Sequence, residues 1–231
     1  MSSRAEPLQE TPRRERAINA PWTVTALILV LVGAHGLRVL AGVEPEVFAI
    51  TSTDMASGRF FGLISYQFVH GGWAHVMMNA AFVLAFGAPV ARLLGGGLRG
   101  AAAFFCFFLL CGVVAAVVYD GWASSLAWMR GGRVGWILVG ASGAASGLMG
   151  AAARIIQGRG RLGPMFGRTV SGMTIGWIVV NVVLGTTGLT PGAAGAQVAW
   201  EAHIFGYVCG LIMIGLFSRL AGVKTDHANA L

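Results

Sequence analysis

The chain has 231 residues, of which 56% are hydrophobic and only 11% charged, against roughly 25% charged in an ordinary soluble domain. This balance excludes a water-soluble globular protein and implies an integral membrane protein. The formal charge of +7 is no nucleic-acid signature, because the arginines are scattered between apolar segments without a basic stripe or interleaved aromatics.

In chain order, the first twenty residues are polar, with Glu6, Glu10 and Glu15 among arginines, which predicts a disordered cytoplasmic tail rather than an acid-poor transit peptide. The Arg13-Arg14 pair precedes a long apolar run without a small-residue cleavage site, so the first helix is expected to stay. Six segments are long enough to cross a hydrocarbon core of about 30 Å as helices. They run roughly over Trp22–Ala41, Ala74–Leu94, Gly100–Tyr119, Gly135–Ala153, Val170–Leu189 and Gln197–Ser218. An all-α, polytopic six-helix bundle follows, as one membrane domain over residues 21–219 with tails at 1–20 and 220–231.

Six crossings put both termini on one side. With that side cytoplasmic, twelve of the sixteen basic residues lie inside and only Arg38, Arg59, Arg130 and Arg133 outside, as the positive-inside rule requires. The long first outward loop, Gly42 to Trp73, carries Phe48, Phe60, Phe61 and Phe68 and suits the interface. A second outward loop is expected over Trp122 to Arg133. Trp22, Trp73, Trp122, Trp128 and Trp136 fall near helix ends or in outward loops, as in an aromatic belt. His35 and Arg38 read as snorkelling or loop-contact residues. Cys106, Cys111 and Cys209 lie within apolar segments without metal-ligand spacing and read as packing residues.

Four polar side chains stand out in the apolar background. Ser142 lies in Gly140-Ala141-Ser142-Gly143 and His203 in Ala202-His203-Ile204-Phe205-Gly206. Polar groups at membrane depth are costly unless they face a cavity or a partner, although serine also bonds within helix bundles. At a rise of about 1.5 Å per residue, Ser142 lies roughly 18 Å above Arg154 and His203 about 24 Å above Arg219. Counted from Arg92, Asn79 is about 20 Å and His75 about 26 Å up, so all four converge on the outer leaflet. His75 and Asn79 are four residues apart and share a helix face. Asparagine, histidine and backbone N–H groups are the donors that an oxyanion needs. The serine and histidine supply a nucleophile and a base of near-neutral pKa. Glu201, the one acid well inside a helix, is two residues from His203 and projects from another face, which predicts a dyad rather than a triad.

His75-Val76-Met77-Met78-Asn79, Gly140-Ala141-Ser142-Gly143, and Ala202-His203 with Gly206 and Gly210 together resemble the rhomboid intramembrane serine proteases. The resemblance runs over roughly Trp22 to Ser218. It implies Ser142 as nucleophile, His203 as general base, and His75, Asn79 and the Ser142 backbone N–H as oxyanion hole. It also implies metal-free, cofactor-free cleavage of single-pass transmembrane proteins near the outer end of their helices; the lack of an acid-poor leader favours a bacterial cytoplasmic membrane as its place. Gly206 and Gly210, with Gly143 and Gly147, would let the fourth and sixth helices approach closely.

Two positions depart from the family pattern. The outer-loop Trp-Arg pair is replaced by Phe61-Gly62, with Arg59 nearby, and the tyrosine expected four residues after the serine is Ser146. Something else must then orient His203, and Phe205 or Tyr207 are local candidates. The competing readings are a catalytically inactive relative that binds transmembrane clients and a small transporter with a broken fourth helix. No inverted repeat or acidic pair supports the transporter.

Overall fold

A computed structural model describes residues 20–133, 135–188 and 199–223. The expected tails, up to residue 19 and from 224, lie outside the described residues, as do Leu189 and Gln197 at the ends of the fifth and sixth segments. Helix α1 (Trp22–Leu40) leads into the long loop expected to face outward, here called the outer loop, which holds β1 (Ile50–Thr51), α2 (Ser52–Ala56) and α3 (Gly62–Ser65). Helices α4 (Trp73–Leu94) and α5 (Leu98–Met129) follow, then β2 (Ile137–Leu138), α6 (Ser142–Gln157), α7 (Arg168–Thr187) and α8 (Trp200–Leu220). Among the described residues, α1, α4, α5, α7 and α8 are long and apolar enough to cross a membrane. The protein is a helical polytopic membrane protein.

The fourth expected segment is corrected. Helix α6 begins at Ser142, seven residues after the expected Gly135, and its 16 residues span about 24 Å, short of a full crossing. Gly140 stands at φ +106°, a conformation that ends any helix from that side. Ile137 and Leu138 instead pair antiparallel with Thr51 and Ile50. Their apolarity reflects packing beneath the outer loop: Leu138 is buried, and so is Trp136, which turns its ring to Tyr119 at 5.5 Å and leaves the expected aromatic belt. Trp22, Trp73, Trp122 and Trp128 remain exposed.

Helix α5 is corrected in the other direction. It continues ten residues past Tyr119, so most of the loop expected over Trp122 to Arg133 is helical. Asp120 interrupts the apolar run but not the backbone ladder, since the stretch to Met129 contains no proline and is rich in helix-compatible alanine, leucine and serine. Termination comes at Gly131, with φ +71°.

Helix α6 packs against α4, α5, α7 and α8. It can do so because its buried residues are almost all small: Gly143, Ala144, Ala145, Gly147, Gly150, Ala151, Ala152 and Ala153. Without a hydrophobic force between helices in lipid, association rests on close van der Waals contact, which small residues allow. A Cβ on Gly206 would collide with the Gly143 carbonyl, one on Gly210 with the Gly147 carbonyl, and one on Gly150 with the Tyr207 carbonyl. On the α5 side, a Cβ on Gly147 would come within 2.6 Å of Cys111 Sγ. Cys111 and Cys209 are buried, unbridged thiols, in keeping with packing roles, whereas Cys106 is exposed and departs from that expectation.

Helix α7 is different. Only Val170 and Asn181 are buried on it, while Ile175, Ile178, Val179, Val180, Val182 and Val183 are exposed. It lies at the edge of the bundle, tied to α8 by a 2.9 Å hydrogen bond between Thr174 Oγ1 and Tyr207 Oη.

Overpacking at the α6–α8 contact is expected to be severe. Gly206→Leu should lower stability by at least about 1–3 kcal/mol, seen as a reduced thermal midpoint in detergent. Gly172→Leu, whose added side chain meets nothing within 4 Å, should leave the midpoint nearly unchanged. Equal midpoints for the two variants would contradict the close packing described.

Candidate active site

Ser142 is the first residue of α6, where the leading N–H groups of a helix have no intrahelical acceptor. Its Oγ lies 2.8 Å from His203 Nε2. The two are 61 residues apart in sequence and meet because α6 and α8 interlock beside them, at Gly143 and Gly206. The backbone leading into Ser142 is held from the outer loop: the Gly140 N–H donates to the Tyr66 carbonyl at 2.9 Å and the Ala141 N–H to His70 Nε2 at 3.4 Å. Tyr66 is pinned in turn by its hydroxyl, which donates to the Gly112 carbonyl of α5 at 2.7 Å.

His75 and Asn79 sit on α4 against this turn. A Cβ on Gly140 would come 2.7 Å from His75 Nε2 and 3.6 Å from Asn79 Nδ2, so the bare Gly140 backbone lies directly over both side chains. Asn79 is buried and its Nδ2 has no hydrogen-bond partner among the described residues. An unpaired amide donor at such depth is costly. Beside Ser142 opens a cavity of about 280 Å³ lined by Asn79, His203 and the apolar Met78, Phe82, Trp177, Val180, Leu184 and Trp200. The structure thus brings Ser142, His203, His75, Asn79 and Gly140 to one place, with Gly143, Gly206 and Gly210 in the helix contact beneath them. Among the described residues no cluster of histidine, cysteine or carboxylate side chains is arranged to hold a metal ion.

Four contributors escaped sequence reasoning: Asn181, Trp177, Tyr66 and His70. Asn181 Oδ1 lies 2.7 Å from His203 Nδ1, and the Trp177 ring tilts over the imidazole at a centroid distance of 6.2 Å. The local candidates for this task are engaged elsewhere, Phe205 with the Trp122 ring and Tyr207 with Thr174. Asn181 is the only side-chain amide in α7, and a lone amide in an apolar segment was the available signal. Ser146, at the position where the resemblance leads one to expect a tyrosine, bonds the Ser142 carbonyl at 2.7 Å. Tyr66 and His70 carried no signal, because their roles depend on the outer-loop fold.

The flanking residues have clear partners. Arg59 forms a forked ion pair with Asp54, at 2.7 and 2.9 Å, and so closes α2 on itself. Arg38 donates to the carbonyls of Val43 and His70, at 2.6 and 3.3 Å, which makes it a loop-contact residue. His35 is buried edge-on to Trp73 at 4.7 Å.

Burial above all, with His75 and His35 close by, pushes His70 down from its ordinary 6.5 to about 3. It is therefore neutral and free to accept the Ala141 N–H. An unfolded chain takes up a proton near pH 6.5 that the folded chain refuses until about pH 3, so stability falls on acidification through that window. His70→Gln is expected to flatten the decline of the thermal midpoint from pH 6.5 towards about 5. A decline as steep as in the parent would contradict this role.

The family model described as Rhomboid domain matches residues 57–220, a span that contains every residue placed in the site. Comparison with curated proteins gives no match.

Proposed function

The chain belongs to the rhomboid family, and on that premise we propose that it is an intramembrane serine endopeptidase cleaving the transmembrane segments of membrane-anchored proteins. The observation that carries the proposal is the 2.8 Å contact between Ser142 Oγ and His203 Nε2, at the edge of a cavity and below a preformed set of donors. An inactive client-binding relative would have no use for that contact.

In the proposed reaction, Ser142 Oγ attacks the scissile carbonyl carbon as its proton passes to His203 Nε2. The carbonyl oxygen becomes an alkoxide, stabilised by Asn79 Nδ2, the His75 imidazole and the Ser142 N–H. His203 returns the proton to the leaving nitrogen as the C–N bond breaks, leaving an acyl-serine. Water then attacks that ester while His203 takes its proton, and in the collapse of the second tetrahedral species the ester C–O bond breaks as His203 returns the proton to Ser142 Oγ, freeing the serine and the new carboxyl end. The unpartnered Asn79 amide supports this assignment, since an oxyanion would supply its missing acceptor. The apolar cavity suits a bulky apolar side chain next to the cleaved bond.

We place the enzyme in a bacterial cytoplasmic membrane, as one membrane domain over residues 21–219 with both termini inside. The support is the clustering of Arg92, Arg99, Arg154, Arg159, Arg161, Arg168 and Arg219 at the helix ends and connections remote from Ser142.

Purified protein in liposomes with single-pass reporter substrates tests the proposal. The parent should cut, Ser142→Ala should not, and His203→Ala should lose nearly as much because nucleophile and base act as one unit. Asn79→Ala should retain its fold and lose up to about 10²-fold in turnover. Cleavage that survives Ser142→Ala would exclude the serine mechanism. If no reporter is cut by the parent, the client-binding reading takes its place.

A further inference from the structure

We infer that Asn181 is the third member of this site, a positioning residue that holds His203 in the tautomer able to accept the serine proton. The inference rests on the protease reading of Ser142 and His203 and adds a group that neither the sequence motifs nor the family match assigns.

The hydrogen bonds around Asn181 fix its orientation. Its Nδ2 donates to the Trp177 carbonyl at 2.8 Å, and a carbonyl can only accept. The other end of the amide, Oδ1, therefore faces His203 at 2.7 Å, and an amide oxygen can only accept. Hence His203 Nδ1 must carry the hydrogen, which leaves the Nε2 lone pair pointing at the Ser142 hydroxyl 2.8 Å away. Three bonds in a line, from the Trp177 backbone through Asn181 and His203 to Ser142, determine the proton positions that a general base needs.

Asn181 is unusual for its helix. Val170 and Asn181 are the two buried residues of α7, and Asn181 is the only side-chain amide on that helix. Uncharged, it can remain at membrane depth where a carboxylate would be far more costly. When His203 takes the serine proton, the Asn181 carbonyl dipole faces the new imidazolium, as a triad carboxylate would with a full charge. The groups facing His203 are Ser142 from α6, Asn181 and Trp177 from α7 and, at longer range, His75 from α4; Glu201 lies two residues away on its own helix. No acid is hydrogen-bonded to the ring among the described residues, so Asn181 has no competitor for Nδ1.

A division of labour follows. Helices α6 and α8, locked through their glycines, set the distance between Ser142 and His203, while the loosely embedded α7 sets the rotation and tautomer of the ring.

The test compares Asn181→Leu and Asn181→Asp with the parent in liposomes, measuring kcat, KM and the pH dependence of kcat/KM alongside helical content and thermal midpoint. Asn181→Leu keeps the volume and removes the acceptor. It is expected to lower kcat on the order of 10²-fold with little change in KM. Asn181→Asp restores an acceptor and is expected to recover most of kcat, with the acidic limb of the profile moved to higher pH because a carboxylate favours the protonated imidazole. Full kcat and an unshifted profile in Asn181→Leu would overturn the inference while leaving the protease reading intact. So would equal impairment of both variants with an unshifted profile, which would mark a packing role. Should Asn181→Leu not fold, a folded but inactive Asn181→Asp protein would likewise overturn it. A parent that cuts no reporter would instead remove the protease reading itself, and the inference with it.

Discussion

Backbone-to-backbone contact between α6 and α8 is the constraint on which the rest of the molecule depends. Gly143, Gly147 and Gly150 on one helix meet Gly206, Tyr207 and Gly210 on the other with no room for an added side chain. In a bilayer such contact substitutes for the hydrophobic force that holds soluble cores together, because lipid tails are as apolar as the side chains they would release. It also has a chemical consequence. Two short polar side chains on neighbouring helices reach hydrogen-bond distance only if the helix axes come unusually close, and Ser142 and His203 stand one residue and three residues from glycines of that contact.

The second constraint is the short length of α6. Because the helix begins below the level of a full span, irregular backbone must lie at membrane depth, where unpaired N–H and C=O groups are prohibitive unless protein or a cavity satisfies them. The outer loop meets this demand: the Tyr66 carbonyl takes the Gly140 N–H and His70 takes the Ala141 N–H. The loop is stiffened by the β1–β2 pairing, the Thr51–Asp54 capping box and the Arg59–Asp54 ion pair. An apparently peripheral segment thus shapes the turn that presents Ser142, and it carries the only described groups that bond to that turn from the outside.

Composition and apolar run length made the membrane class and the polytopic helical fold legible, since both follow from the energetics of the bilayer rather than from particular contacts. Ser142, His203, His75 and Asn79 were legible for a related reason: polar groups at similar depth in otherwise apolar helices invite a common explanation. What run length could not reveal was whether an apolar residue is apolar for lipid or for protein. Ile137 and Leu138 belong to a strand, Trp136 is buried under the loop, and α5 continues past Asp120 because one acid does not break a helix. Asn181 was missed for a different reason. The same cost that drew attention to Asn79 applied to it, but its role depends on the approach of α7 to α8, a tertiary relation with no counterpart in sequence spacing.

The central claim is that Ser142 is a nucleophile activated by His203, and chemical trapping addresses it without knowledge of the natural substrate. Purified protein in liposomes would be treated with a fluorophosphonate, and the modified residue located by mass spectrometry, in the parent and in His203→Ala. A single adduct on Ser142 of the parent, lost or strongly slowed in His203→Ala, is the predicted result. An unlabelled parent, an adduct on another residue, or labelling indifferent to His203 would contradict it.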